Sequence, residues 1–565
     1  MLSFRWCRVP VLATLMLIPA PRVFQTQTQP DAYRVATFCT PVPSGQGHTV
    51  SVSSGDELQK ALDQAVGGDT ILLADGATFR PVAPEGSFML RNRQIPPGQW
   101  VTIRSANRAF DASGALPPSR RVDTSNANVM PRIRATAANA ASIRAEPRAR
   151  GYRLTGLDIG ADAGVSQMTN LVELGDGNDT AAEAEPGDIV IDRCYLHGND
   201  TGNFRRGVAL NGARLAVVDS WIENFHDAHG DSQAIGGWNG PGPFKIVNNM
   251  LEAASENIMF GGADPAIEGL VPADIEIRRN HSTKRTSWRT SGVPAKNAFE
   301  LKNARRVLVD GNTFEHVWPS GQDGTAIVLK STNQDGRCTW CVTEYVTFSN
   351  NIVRAAANGV VINAAESGAR GRPQPKPANH IRLQNVLFEE IGAREWGAGG
   401  KLLRVFGGVS DLEITHVTSA GNPGGILDPR DAADVNPRFV FTYNIVERMF
   451  YGIGTGDNEG AQTLMKNFGP FVYRQNILVN TSRGTDQAMA DGALKSRYPS
   501  STVVAPGWNA VGFDKDTYRL AATSPYRQAG DDGKVPGVDV DALSAAQRGP
   551  DSSGCGAKPK PVLRR

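Results

Sequence analysis

The chain reads as an all-β protein: a single-stranded right-handed parallel β-helix solenoid with a short N-terminal capping helix. Three observations predict this. A strand-and-turn motif recurs ten times along the chain, its turn position is most often Asn, and amphipathic helices between the strands are lacking.

The elements follow in order. Arg5 and Arg8 precede an apolar run from Val9 to Ala20, the pattern of a secretory signal and too short to span a bilayer. We assign residues 1–24 to a signal peptide, with cleavage between Ala20 and Ala32, and 25–48 to a leader. The segment DELQKALDQAV (56–66) is the one convincing helix, and ILLAD after it starts the first rung. Such a helix covers the open end of a solenoid, whose bare edge would otherwise pair with other chains. The solenoid is assigned to 49–480, and 481–565 to a C-terminal cap segment and tail.

The motif appears as IVIDRCYL (189–196), LAVVDSWI (215–222), FKIVNNML (244–251), IEIRRNHS (275–282), VLVDGNTF (307–314) and VTFSNNIV (346–353). It continues as IRLQNVLF (381–388), LEITHVTS (412–419), FVFTYNIV (439–446) and FVYRQNIL (471–478). The turn position falls at Cys194, Ser220, Asn249, Asn280, Asn312, Asn351, Val386, Val417, Asn444 and Asn476, with separations from 26 to 39 residues. Asn at this position is expected to take left-handed backbone angles and to stack into ladders. A second short strand follows most motifs: QAIGGW (233–238), ENIMFGG (256–262), AFELKN (298–303), AIVLKS (326–331), GVVINA (359–364), LLRVFGG (402–408) and YGIGTG (451–456). Strand, sharp turn, strand and variable loop then make one rung. A β-propeller would show a longer repeat with its own signature, and a globular α/β enzyme would show helices between strands.

Composition narrows the function. Lys and Arg total 59 against 57 Asp and Glu, a net charge of +2, which disfavours nucleic-acid binding. No segment after the signal is long and apolar enough to span a membrane. The expected protein is secreted or periplasmic and monomeric. Of six cysteines, Cys7 leaves with the signal. In an oxidising compartment Cys338 and Cys341 are expected to staple one loop, and Cys39 and Cys555 to tie the ends.

The segment VSSGDELQKALDQAVGGDTILLADGATF (52–79) resembles the N-terminal entry of pectate-lyase-like β-helix proteins, including polysaccharide lyases of the alginate lyase and chondroitinase B group. EASENIMFGGADP, DIEIRRNHSTK and NAFELKNARRVLVDGNTFEHVW are similar to exported bacterial β-helix proteins of an uncharacterised subgroup. The resemblance implies a polysaccharide partner. The NTD, DD, GHG and RIK set of polygalacturonases is lacking, although His229-Gly230-Asp231 gives a fragment, and so is the DPH motif of mannuronan epimerases.

Outward side chains on successive rungs are the candidates for chemistry. With Phe299 and Leu301 inward, Glu300 and Lys302 point outward. Lys330 falls outward a rung later, about 4.8 Å from Lys302, and Arg404 two rungs beyond that. Two lysines so close should repel and lower one pKa. A neutral Lys302 or Lys330 would then abstract the proton beside a uronate carboxylate while the other, or Arg404, holds that carboxylate. That is lyase chemistry, and the catalytic set is Lys302, Lys330, Arg404 and Glu300. Trp238, Trp288 and Trp318, with Asp264 and Glu256, are the substrate-binding candidates; Trp340 and Trp396 also sit in or beside loops. His226, Asp227, His229 and Asp231 could hold a cation, with Ca²⁺ the candidate cofactor. Two rival readings are a glycoside hydrolase using carboxylates of 231–264, such as Asp231 and Glu256, and a non-catalytic carbohydrate-binding solenoid.

Overall fold

The computed structural model describes residues 32–555 apart from 44, 83–85, 398, 422–423, 430–433, 449, 456–457, 483–487, 515 and 550–551. The expected signal peptide, with Cys7, lies outside the described residues. Three parallel sheets run the length of the solenoid, two of 14 strands and one of 11. Each turn of the chain visits all three. Gly187–Asp192 joins the first sheet, Tyr195–His197 the second and Asn203–Leu210 the third; Ala213–Val218 then returns beside Gly187–Asp192. A rung therefore has three strands rather than two. The sequence motif is itself a pair of strands broken at its turn position, too short for the break to register as periodicity.

That turn holds the ladder, with a correction to the expected backbone. The positive φ belongs to the residue before the ladder position: Asn248 at 61°, Arg279 at 54°, Gly311 at 70° and Asn350 at 53°. The ladder residue itself points inward. The Oδ1 of Asn312 accepts from the Asn280 backbone N–H at 2.9 Å and from its Nδ2 at 3.0 Å, while its own Nδ2 reaches Ile277 O and Asn351 Oδ1, both at 3.0 Å. The pattern links Asn249, Asn280, Asn312 and Asn351 in one run and Asn444 to Asn476 in another. Asn is selected here because its amide satisfies buried backbone groups on two rungs at once.

The helix Gly55–Gln64 closes the first rung, its Ser54 and Glu57 forming a reciprocal cap and its Leu58 and Leu62 entering the core. At the far end Val503–Ala505 adds a strand to the second sheet, beyond position 480, while Gly454–Thr455 leaves the coil for a two-stranded hairpin. The C-terminal tail then runs back along the Asn-ladder turns. Asp539 N donates to Asn385 Oδ1 at 2.5 Å, Gln547 Nε2 to Thr313 Oγ1 at 3.4 Å and Ser552 Oγ to Asp219 Oδ2 at 2.6 Å. Cys555 is bonded to Cys39, and Cys338 to Cys341. Among the described residues Cys194 is the free cysteine, buried at a ladder position. No helix among the described residues is long and apolar enough to cross a membrane.

Candidate functional groove

The 11-stranded sheet carries a groove of about 550 Å³ lined by Arg144, Arg205, Arg206, Asp231, Trp238 and Lys302, among others. Gly175, Gly177, Gly261 and Gly262 are among its lining, and an outward column of the sheet runs beside them. Ala209, Gly236 and Met259 are register partners on successive strands. A Cβ on Gly236 would stand 2.9 Å from Arg206 Nε, so the guanidinium lies across that glycine. At Gly261 (φ +103°) a Cβ would stand 2.7 Å from Lys302 Cβ. That bare position lets the Lys302 stem pack against the Gly261 backbone, with only 12% of its side chain exposed.

Strict alternation does not hold on this sheet. Ala234 and Ile235, Ala298 and Phe299, and Ala326 and Ile327 are consecutive pairs that both enter the core. Across each such corner the outward set shifts by one. Gln233, Glu256 and Asn297 therefore join Glu300, Lys302 and Lys330 on the outer side.

These side chains form a chain of alternating charge. Asp231 Oδ1 is 2.5 Å from Lys296 Nζ, and Lys296 is 3.7 Å from Glu256 Oε1. Glu300 Oε1 lies 3.7 Å from Lys302 Nζ and 3.4 Å from Lys330 Nζ, and Lys330 is 3.1 Å from Glu366. Gln233 donates to Glu256 Oε2 at 2.8 Å and Asn297 to Glu300 Oε2 at 3.1 Å. Both carboxylates are fully buried. Burial raises the pKa of each, but Lys302 and Lys330 pull Glu300 below its ordinary value, whereas Glu300 and Asp231 help push Glu256 up to about 7. The proton available to this pair therefore resides on Glu256.

The expected lowering of a lysine pKa is overturned. Lys302 and Lys330 do stand side by side, because Leu301 pairs with Leu329. Burial disfavours the Lys302 charge, yet Glu300, Glu256, Asp231 and Glu366 outweigh it and hold the amine above its ordinary value. Glu300, shared by both amines, and the other carboxylates around Lys302 offset the repulsion on which the sequence argument relied.

Other expected residues go elsewhere. Arg404 shares the Glu300 column, but Val328 and Val361 intervene, and its guanidinium is engaged by Asp323 at 2.6 Å and by Thr325 Oγ1. It does not clamp the groove. Trp238 does line it, with Arg206 4.8 Å from its ring and its Nε1 donating to Gly177 O at 3.1 Å. Trp288 and Trp318 are buried with Trp396 in a separate apolar cluster, too enclosed to meet a sugar. Trp340 donates to Leu270 O at 3.0 Å.

Asp264 is buried and accepts backbone N–H groups from Gln334, Arg337 and Cys338, so it shapes a loop rather than binding substrate. The 226–231 residues do not assemble a cation site. The His226 ring packs 5.7 Å from Trp288, Asp227 accepts from His229 N, and Asp231 is taken by Lys296. Among the described residues the one grouping with three convergent ligand atoms is Asp264, Cys338 and Cys341, and its sulfurs are spent in a disulfide. Calcium therefore has no supporting donor set at the expected residues.

Sequence reasoning missed Arg206 and Lys296. Counted back by twos from the inward Val208, Arg206 falls in the core. It is nearly buried, and burial together with neighbouring Arg205 lowers its pKa to about 10, which leaves it cationic at neutral pH. It donates to Gln233 Oε1 at 3.1 Å and Asn170 Oδ1 at 2.7 Å. The pair Arg205-Arg206 within the strand run FRRGVAL was the available signal.

No protein-family model and no curated protein matches the sequence. Among solved structures, the chain is similar to a mannuronic acid specific polysaccharide family 6 lyase from human gut microbiota, at 11% identity over 81% of this chain and 92% of that one, with a TM-score of 0.44. The family 6 polysaccharide lyase Pedsa3628 from Pseudopedobacter saltans matches at 12% identity over 84% and 96%, with a TM-score of 0.39. The catalytic unit of a GH87 α-1,3-glucanase from Streptomyces thermodiastaticus matches at 11% over 81% and 72%, with a TM-score of 0.46. At these identities the likeness is one of fold alone, and no chemistry is taken from it.

Proposed function

We propose that the groove binds an acidic polysaccharide and cleaves it by β-elimination. The observation that carries this reading is the meeting of Lys302, Arg205, Arg206 and Trp238 in one open groove. Fixed cations suit the carboxylate of a uronate, and a Trp face suits a sugar ring. Arg206 takes the clamping role first sought in Arg404. Lys302, when neutral, removes the proton from the carbon beside the carboxylate; the electron pair forms the new carbon–carbon double bond and expels the glycosidic oxygen, which takes a proton from water. Arg206 and Lys330 offset the charge that builds on the carboxylate. Secretion to an oxidising compartment, outside the cell or in the periplasm, suits the two disulfides.

The pH dependence tests this. Lys302 works only without its proton, and the carboxylates around it hold that proton in place, so activity is expected to climb into the alkaline range. Pectate, alginate and glycosaminoglycans are incubated across pH while the ultraviolet absorbance of unsaturated ends is followed. Full activity in Lys302→Ala, or silence on every polymer, refutes the lyase. The Glu256 proton supports a second reading, hydrolysis with Glu256 as general acid and Asp231 as base. Its signature is reducing ends without absorbance, lost as pH rises through about 7. Polymer retention with no product indicates a binding solenoid.

A further inference from the structure

Most cations along the groove face a carboxylate. Arg144 meets Glu173 at 2.9 Å, Lys296 meets Asp231, and Lys302 and Lys330 share Glu300. Arg205 and Arg206 form no such pair among the described residues. Arg205 gives its Nε to the backbone O of Asp231 at 3.3 Å. Arg206 is only 7% exposed, and its Nε and Nη1 go to the side-chain oxygens of Gln233 and Asn170, two neutral amides. That leaves its Nη2 without a protein partner among the described residues. Each amide passes its own N–H to an acid beyond it, Gln233 to Glu256 Oε2 at 2.8 Å and Asn170 to Glu173 Oε2 at 3.3 Å. A neutral group thus separates Arg206 from an acid on either side. A nearly buried guanidinium without a counter-ion is costly, and a ligand anion removes that cost through charge-assisted hydrogen bonds.

The strand beneath the guanidinium carries two adjacent glycines with different jobs. The fold itself requires Gly237, whose Cβ would stand 2.4 Å from the backbone O of Leu210. It makes no such demand at Gly236. The backbone there lies outside the left-handed region, and a Cβ would meet Arg206 Nε at 2.9 Å, Arg206 Cδ at 3.3 Å and then only Gln233 Cβ at 3.8 Å. The bare position at 236 therefore makes room for Arg206. The other boundary is Trp238, whose ring centre is 4.8 Å from the Arg206 guanidinium carbon.

We propose that Gly236, Gln233 and Asn170 are positioning residues that build an anion seat around Arg206, a seat that takes one uronate carboxylate and discriminates against the uncharged sugar of the same ring. The inference rests on the acidic-polymer reading above and not on cleavage. The carboxylate lands on Arg206 Nη2 with Arg205 beside it, and the sugar ring lies toward Trp238. Because Gly236, Gln233 and Asn170 already fix the guanidinium, the ligand gains its hydrogen bonds without having to order that side chain. Because both amides are neutral, the charge it meets is not already cancelled.

Thermal melts at neutral pH with sodium galacturonate, with galactose and with sodium chloride at matched ionic strength read the seat without polymer or turnover. Wild type is expected to melt higher with galacturonate than with either control, since a ligand of the folded state stabilises it. Arg206→Ala removes the cation, Gly236→Ala displaces it with its charge intact, and Asn170→Asp keeps the shape but supplies a carboxylate; all three are expected to lose the difference. In affinity electrophoresis against alginate and pectate, affinity in Gly236→Ala falls at least about tenfold, the worth of one charge-assisted hydrogen bond. Adding Gly236→Ala to Arg206→Ala then lowers it no further, because both act through one guanidinium. A galacturonate shift in Gly236→Ala equal to that of wild type, additive losses in the double variant, or no shift in wild type overturns the proposal. A wild type that galacturonate stabilises but no acidic polymer retains refutes the polymer reading and leaves the seat; retention without cleavage refutes only the lyase. Should Gly236→Ala fail to fold, Asn170→Asp carries the same test, and a galacturonate shift equal to wild type there also overturns the proposal.

Discussion

Replacing Glu185 by Gln is expected to stabilise the fold, and by more as pH rises. Glu185 is fully buried below the loop Gly175–Asn178 at the groove wall. Its Oε1 accepts from Asn239 Nδ2 at 3.2 Å, while Oε2 has no hydrogen-bond acceptor role among the described groups. Burial, then Asp179 and Asp176, push its pKa from 4.5 to about 9. The carboxyl is thus neutral in the fold at neutral pH and ionised in the unfolded chain. Its contribution to stability is whole below about 4.5 and drains away as pH climbs toward about 9. At 1.36 kcal/mol per unit, the interval from 4.5 to pH 7 costs about 3 kcal/mol, and the cost at pH 5 is under about 1 kcal/mol. Gln escapes this cost, since its amide carries no proton to lose. A Cβ on Gly175 would lie 2.5 Å from Glu185 Oε2 and 2.1 Å from Asn211 O, so the Asn211 carbonyl stands on the side the Gln amide would face. Urea midpoints of wild type and Glu185→Gln, taken at about pH 5 and about pH 8, read the difference. A gain that is equal at both pH values, or that shrinks on the alkaline side, refutes the reasoning.

Two further substitutions probe the ladder and the groove. Asn312→Ala removes four hydrogen bonds and leaves buried partners on both neighbouring rungs unsatisfied; a loss of about 3 kcal/mol or more by denaturant unfolding is expected. Trp238→Ala is expected to weaken binding of an acidic polymer about tenfold, from roughly 1–2 kcal/mol of lost ring contact, while leaving the melting temperature nearly unchanged. Affinity electrophoresis against the same polymers reads it, and equal retention of the two proteins refutes the groove as the binding face.

How much of this could be read from the sequence depends on how local each signal was. The ladder positions were legible because Asn stands at six of the ten motif turns, and a buried amide leaves few alternatives to Asn. The backbone strain was misplaced by one residue: Asn248, Asn350 and Asn385 carry the positive φ, while their neighbours Asn249, Asn351 and Val386 hold the ladder positions. Adjacent Asn residues hide which of them does which job. Lys302 beside Lys330 followed from counting one rung, since hydrogen-bonded register is rigid. The ionisation did not follow, because it depends on Glu256, Asp231 and Glu366, which arrive from three other loops and strands. Arg206 and Asn297 were hidden by a different cause, the corner where two consecutive residues turn inward and period 2 fails.

The sequence by itself determined the coil, its capping helix, the two disulfides and the column on which two lysines meet. Each is set by short-range pattern: alternation, a repeating turn residue, or a residue type with one stable partner. Only the tertiary structure decided which way the charges balance and which aromatic rings face a ligand. Trp238 and Trp318 look alike in their loops, yet one lines the groove and the other is sealed beside Trp396. Exposure and electrostatics are sums over neighbours brought in from distant rungs, and loop length alone does not say where a loop will fold down.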